Sequence, residues 1–159
     1  KILSQNGYAV GVMARRKHLL EELRKEIHGE ISIQEIDIAD AEAAMGIFSE
    51  FINEMGEIDL IVISAGTGEI NNDLNWQVED ETIRTNVIGF TALANVAIHH
   101  FMKKGSGHLV GISSIAALRG GRESPAYNAS KAFASNYMEG LRQKIRNIQL
   151  PIIVTDVKP

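Results

Sequence analysis

Ile58-Asp59-Leu60-Ile61-Val62-Ile63-Ser64 is the stretch whose reading decides the fold. It is nearly continuous in apolar and β-branched residues, without the alternation of a half-solvated strand, and it is too short for a membrane span. That is the pattern of a strand covered by helices on both faces. His108-Leu109-Val110-Gly111-Ile112-Ser113 and Ile152-Ile153-Val154-Thr155-Asp156-Val157 repeat it, and two further β-rich runs lie at Tyr8 to Ala14 and Ile31 to Ile36. Helix-period segments fill the intervals, so the chain reads as successive βαβ units. The expected fold is α/β, a doubly wound Rossmann-like parallel sheet with helices on both faces, and the last three strands belong in its middle. Residues 1–159 form one dinucleotide-binding domain in this reading.

The connecting segments are specific. Leu20, Leu23 and Ile27 share one helical face, with Gly29 placed as a left-handed C-cap. Asp40 is a good N-cap for a helix carrying Ala44, Phe48, Phe51, Ile52 and Met55, which Gly56 ends. A longer helix is expected from about Val78 to Lys104, striped by Ile83, Val87, Phe90, Leu93, Ala94, Ile98 and Phe101, with Trp76 packing at its start. Ile88 and Met102 widen its apolar surface enough for a subunit contact. A fourth helix begins near Pro125, carries Phe133, Tyr137, Leu141 and Ile145, and stops before Pro151.

Composition narrows the function. At 159 residues with 45% apolar and 23% charged side chains, the chain suits one globular domain and not a disordered segment. Sixteen basic against twenty acidic residues leave a net charge of −4, which argues against nucleic acid as a partner. The absence of cysteine excludes disulfides, thiolate nucleophiles and cysteine metal sites. With no membrane-length run or apolar leader, a soluble cytoplasmic protein is expected. The chain opens in what reads as a helix tail, Lys1 to Asn6, and closes on Pro159 directly after a strand. A first strand with its turn is therefore expected upstream, and further chain downstream, the domain being incomplete at both ends.

The chemistry gathers at the carboxyl ends of the strands, where parallel sheets place their ligands. Tyr127 and Lys131 are four apart on the fourth helix and so share a face. A free phenol has a pKa of about 10, and bringing one near neutrality takes roughly 4 kcal/mol of preferential stabilisation of phenolate. A partly desolvated ammonium within about 4 to 6 Å supplies much of that. Ser114, at the end of its strand, can hydrogen-bond a reacting oxygen, whereas Ser113 reads as a strand terminus. Ser64-Ala65-Gly66 ends the third strand with small residues that admit a flat ligand, or simply turns the chain. Arg15 and Arg16, following Ala14, can fork a phosphate, or Arg16 can start a solvated helix. Asp37 can accept from an adenine amino group or cap the next turn.

Ser114, Tyr127 and Lys131, spaced thirteen and four apart, resemble the active site of the short-chain dehydrogenase/reductase family. Asp37-Ile38-Ala39-Asp40 resembles its adenine-side Asp motif, Ile63-Ser64-Ala65-Gly66 its Asn-Asn-Ala-Gly strand end, and Thr85-Asn86-Val87 its helix asparagine. Lys158-Pro159 is similar to the start of its Pro-Gly turn. The resemblance implies an oxidoreductase moving hydride between a nicotinamide cofactor and a small carbonyl or alcohol. Tyr127 would handle the proton, Lys131 would lower its pKa and hold the nicotinamide ribose, Ser114 would orient the carbonyl, and Asn86 would support a proton-relay water. Cofactor contacts would come from Arg15, Arg16, Asp37, Ile38, Ser64, Ala65, Gly66, Tyr127, Lys131 and Pro159. Arg15 stands where members preferring NADP hold the extra phosphate and Ala14 where members preferring NAD keep an acid, so NADP(H) is expected over NAD(H). A homodimer or homotetramer is implied, and no metal. A non-catalytic nucleotide- or partner-binding member of the fold is the alternative.

Two departures stand out. The family's Thr-Gly-x-x-x-Gly-x-Gly turn does not occur in the chain, since neither Gly66-Thr67-Gly68 nor Gly105-Ser106-Gly107 has its spacing or setting. Ser64 replaces the second asparagine of the strand-end motif. Elsewhere, adjacent His99 and His100 diverge by about 100° on a helix and read as structural. Arg119-Gly120-Gly121-Arg122 either borders the substrate or is a mobile turn.

Overall fold

A computed structural model describes all residues, Lys1–Pro159. Five strands form, β1 (Val10–Ala14), β2 (Ile31–Glu35), β3 (Leu60–Ile63), β4 (Gly107–Ile112) and β5 (Ile152–Val157), every pairing between them parallel. The helices are α1 (Ile2–Gln5), α2 (Lys17–Glu26), α3 (Ala41–Met55), α4 (Trp76–Ile83), α5 (Phe90–Lys104) and α6 (Pro125–Ile148). Local chemistry sets their ends. Asp40 caps α3 by accepting from the Ala43 amide at 3.2 Å, Asn75 caps α4 from the Gln77 amide at 2.9 Å, and Gly105 closes α5 in the left-handed region at φ 89°.

The strands fall into two sheets, β1 with β2, and β3-β4-β5 with β4 central. The direction in which strands are added reverses after β2, and with right-handed crossovers that puts α2, packed on β1 and β2, on one face and α3, α5 and α6 on the other, α5 and α6 packing on β3 to β5 and α3 against α5. Burial agrees. Ile61, Ile63, Leu109, Ile152 and Val154 are buried under the helices, while Leu60, Val62 and Ile153 point the other way and are exposed. Fully enclosed Phe101, Leu109, Met138 and Ile145 anchor the core, and truncating Phe101 to alanine would cost about 3–5 kcal/mol. Gly111 belongs to that packing, because a Cβ there would press on Phe90 and Met138 at 3.0 and 3.1 Å.

β1 and β3 do not pair; a groove of about 1080 Å³ runs between them, lined on one side by Val10, Gly11 and Met13 and on the other by Leu60 to Ile63. Of the three strands expected in the middle, only β4 therefore has neighbours on both sides, and Val62 of β3 is 48% exposed. Three further differences are local. α2 ends at Glu26 with an extended Ile27, so Gly29 (φ 140°) is not its cap but packs against Ser4. Trp76 does begin a helix but is 66% exposed, its start being fixed by Asn75 instead of by packing. The long helix is continuous from Trp76 to Lys104 but is wound as a π-helix over Arg84–Gly89.

Candidate active site

Pro125 opens α6, where a missing amide costs nothing. The Ser124 hydroxyl makes no cap bond and donates to the Glu69 carbonyl at 2.8 Å, and the Asn71 backbone amide donates to the Glu123 carbonyl at 2.7 Å. These bonds clamp the loop after β3 onto the start of α6. One turn in, Tyr127 and Lys131 lie on one side of the helix, the Lys131 Nζ being 5.7 Å from the centre of the phenol ring. Lys131 is 7% exposed and donates to the Ile112 carbonyl at the end of β4, 3.0 Å away. Burial pushes its ammonium below the usual lysine range, and Asp156 pulls it part of the way back.

Asn86 sits inside the π segment, a distortion that recurs at functional sites. Its Nδ2 donates to the Thr67 carbonyl at 2.7 Å and to Ser130 Oγ at 3.0 Å, and its Oδ1 accepts from the Thr67 amide at 2.8 Å. Ser130 Oγ donates in turn to the Tyr127 carbonyl at 2.8 Å. A single buried amide thus ties the long helix, the loop after β3 and the tyrosine turn of α6 together. Gly66 lies where the two converge, because a Cβ there would meet Lys131 Nζ at 3.2 Å and Asn86 Oδ1 at 3.3 Å.

Ser114 follows β4 and caps a short 3₁₀ turn over Ile115–Leu118, its Oγ accepting from the Ala116 amide at 3.1 Å. Asn128, next to Tyr127, pins that turn by donating to the carbonyls of Ala116 and Arg119, both at 3.0 Å. Pro159 accepts from the Ile115 amide at 3.0 Å, joining the end of β5 to the same turn. Ser113 is 4% exposed and hydrogen-bonds Val157, a structural strand end as expected.

The remaining expected positions, Arg15, Arg16, Asp37, Ile38, Ser64 and Ala65, line the carboxyl end of the groove between β1 and β3. That is the point where the strand order reverses, the ligand position of a doubly wound sheet. Arg15 is half exposed and stands 3.7 Å from Glu81; Arg16 precedes α2; Asp37 Oδ1 accepts from the Ala39 amide at 3.0 Å. Tyr127 and Ser114 stand outside the groove, which approaches them through Gly66 and Thr85. Thr85 Oγ1 is buried without a partner there. A dinucleotide fits these donors: Lys131 has ammonium protons to spare for ribose hydroxyls, Gly66 leaves the space a side chain would fill, and two guanidiniums wait at the far end.

Sequence spacing did not single out Ser130, Asn128, Gly68 or Asp156. Ser130 and Asn128 lie within the Tyr127–Lys131 turn and were legible as its polar neighbours. Gly68, whose backbone abuts the Tyr127 ring, and Asp156, a buried carboxylate whose charge acts on Lys131, depend on long-range packing. His99 bonds its own helix at the Asn95 carbonyl, and no three His, Asp or Glu side chains gather where a metal could bind.

The family model for short chain dehydrogenases matches residues 1–159. The chain belongs to the short-chain dehydrogenase/reductase family. The chain is 36% identical to an uncharacterized oxidoreductase of Myxococcus xanthus, across 91% of its own length and 59% of that protein's. It superposes on the crystal structure of serine dehydrogenase from Escherichia coli with a TM-score of 0.89 at 25% identity, covering 99% of the chain and 73% of that one. A closed form of serine dehydrogenase complexed with NADP+ gives a TM-score of 0.87, also at 25% identity, with 99% and 64% covered. The chain thus spans about three-fifths of the length of that curated relative. No helix is long and apolar enough to cross a membrane.

Proposed function

We propose that the protein transfers hydride between NADP(H) and the carbonyl or secondary alcohol carbon of a small organic substrate, with Tyr127 as general acid/base. The observation that carries this reading is the Tyr127–Lys131 pair, on one face of α6 and braced through Asn86 and Ser130. NADP(H) is favoured over NAD(H) because Arg15 and Arg16 follow β1 with Ala14, not a carboxylate, at its end. The NADP+ complex of a structurally similar serine dehydrogenase supports the same choice.

Bound NADPH supplies the hydride. Ser114 Oγ hydrogen-bonds the substrate oxygen and holds it toward Tyr127. The Tyr127 hydroxyl passes its proton to that oxygen on reduction and takes it back on oxidation, an effect commonly worth about a hundred- to ten-thousandfold. Lys131 holds its ammonium beside the phenol ring and would donate to the nicotinamide ribose. Asn86 acts through its brace, since both of its amide protons are already committed to protein acceptors. Arg15 and Arg16 would hold the adenosine phosphate, and Asp37, Ile38, Ser64, Ala65, Gly66 and Pro159 would supply the remaining contacts to the dinucleotide.

The groove between β1 and β3 receives one more parallel strand in this account. It offers two open strand edges and apolar walls, and a strand there would carry a glycine-rich turn to the pyrophosphate. The domain 1–159 is then a dinucleotide-binding domain incomplete without that strand. It works in the cytoplasm as a homodimer or homotetramer, exposed Ile83 and Ile88 offering the apolar surface for self-contact. A second reading is a non-catalytic nucleotide- or partner-binding protein of the same fold. Oxidation of NADPH and NADH by a panel of aldehydes and ketones separates them: turnover with NADPH supports the enzyme, and cofactor binding without turnover of any carbonyl supports the other.

A further inference from the structure

Asp156 sits at the carboxyl end of β5, in register with Gly111 of β4, and its side chain is only 6% exposed. Carboxylates so far from water are ordinarily paired. Its Oδ2 accepts from Ser135 Oγ at 2.7 Å and lies 3.2 Å from Lys158 Nζ, but its Oδ1 is buried with no partner. Ser135 is four residues beyond Lys131, so Tyr127, Lys131 and Ser135 form one column on α6, and that column ends on Asp156. Lys131 has three donors, places one on the Ile112 carbonyl and forms no ion pair. A half-satisfied ammonium and a half-satisfied carboxylate therefore share the same edge of the sheet.

We propose that Asp156 is the counter-charge that keeps Lys131 an ammonium beside Tyr127. It is a positioning residue, acting on the site through Lys131. Burial opposes the lysine charge, and Asp156 is the one carboxylate that acts against that opposition. Burial would also raise the Asp156 carboxyl, but the nearby Ser113 hydroxyl, whose proton rests on the Val157 carbonyl, the bonded Ser135 hydroxyl and Lys158 more than reverse it, so the group is ionised at neutral pH. The other charged and titratable groups on the packed elements are turned to other partners. His108 of β4 bonds Thr155 at 2.9 Å, Arg142 of α6 donates to the Val154 carbonyl at 3.1 Å, and only Lys158, 41% exposed, competes for the same carboxylate.

The consequence for catalysis rests on the proposed function: with Asp156 neutral, less ammonium faces Tyr127 and the alkaline limb of activity moves. The primary test needs neither substrate nor cofactor. In protein carrying isotope-labelled lysine, the Lys131 side-chain resonance, assigned with Lys131→Arg, is titrated by NMR. Asp156→Asn is expected to lower its midpoint by about one pH unit, a tenfold fall in the ammonium-to-amine ratio at fixed pH. Lys158→Met removes a rival cation and leaves the carboxylate to Lys131, so it shifts the midpoint upward. Opposite shifts support the proposal; a Lys131 midpoint that neither variant moves, or that both move alike, overturns it. Should Asp156→Asn fail to fold, the direction of the Lys158→Met shift decides alone. Opposite shifts in a protein that turns over no carbonyl would sink the dehydrogenase reading and leave this one standing.

Discussion

The backbone of Gly68 abuts the ring of Tyr127: a Cβ at position 68 would stand 2.8 Å from Cγ and 2.9 Å from Cε2. Nothing in the backbone angles of Gly68 demands glycine; the ring does. The loop after β3 therefore sets one wall of the tyrosine pocket, while the Asn86–Thr67 bonds hold that loop in place.

Gly68→Ala should displace the phenol and lower kcat, about a hundredfold if the hydroxyl moves by about 1 Å. NADPH affinity should be preserved. Gly46→Ala, on α3 with nothing within 4 Å of the new methyl, is the control. It should gain about 0.5–1 kcal/mol and about 2–4 °C in Tm without touching activity. Steady-state kinetics and thermal melts check both; equal activity in the two variants would remove Gly68 from the account.

Lys131 is held below the ordinary lysine range by burial, and that has a thermodynamic sign. Between its folded and unfolded midpoints the unfolded chain binds the additional proton, so this group costs stability at neutral pH, and the cost fades as pH rises toward the unfolded value. Lys131→Met should accordingly melt higher than the parent at neutral pH, with the gap closing in alkali, while activity is lost. A variant that melts lower at neutral pH contradicts the buried, underpaired ammonium.

Arg15 and Glu81 form a half-exposed pair that contributes little to stability. Arg15→Ala should leave Tm nearly unchanged and weaken NADPH binding about tenfold to a hundredfold, the range for a charged hydrogen-bond partner. NADH binding should not change. Fluorescence titration reads both cofactors, and an equal loss for each would place the phosphate site elsewhere.

The open edges of β1 and β3 predict that a peptide of about six apolar, β-branched residues ending in a glycine-rich turn raises Tm in a concentration-dependent way. The same peptide with a central proline should fail, because it loses a ladder donor. Identical shifts with both peptides would mean nonspecific adhesion to the groove.

Local chemistry explains which features were legible beforehand. Strands β1 to β5 start and end within two residues of expectation because β-branched runs and helix-period stripes are local signals. Asp40 and Pro125 announced their helices for the same reason. Tyr127 and Lys131 share a face because helical spacing alone requires it. The exposed flank of β3 was not legible: Leu60 to Ile63 carry the composition of a central strand, and whether a neighbour stands alongside depends on other parts of the sheet. Gly29 looked like a helix cap by position, yet α2 ends earlier. The π segment at Asn86 and the burial of Asp156 depend on packing between elements far apart in sequence.

The most direct measurement is NADPH consumption by a carbonyl substrate in the parent and in Tyr127→Phe, together with NADPH affinity for each. Tyr127→Phe keeps the ring that packs on Gly68 and removes only the hydroxyl. Turnover of Tyr127→Phe should fall at least about a hundredfold with NADPH affinity unchanged. Comparable turnover in the two proteins would contradict it.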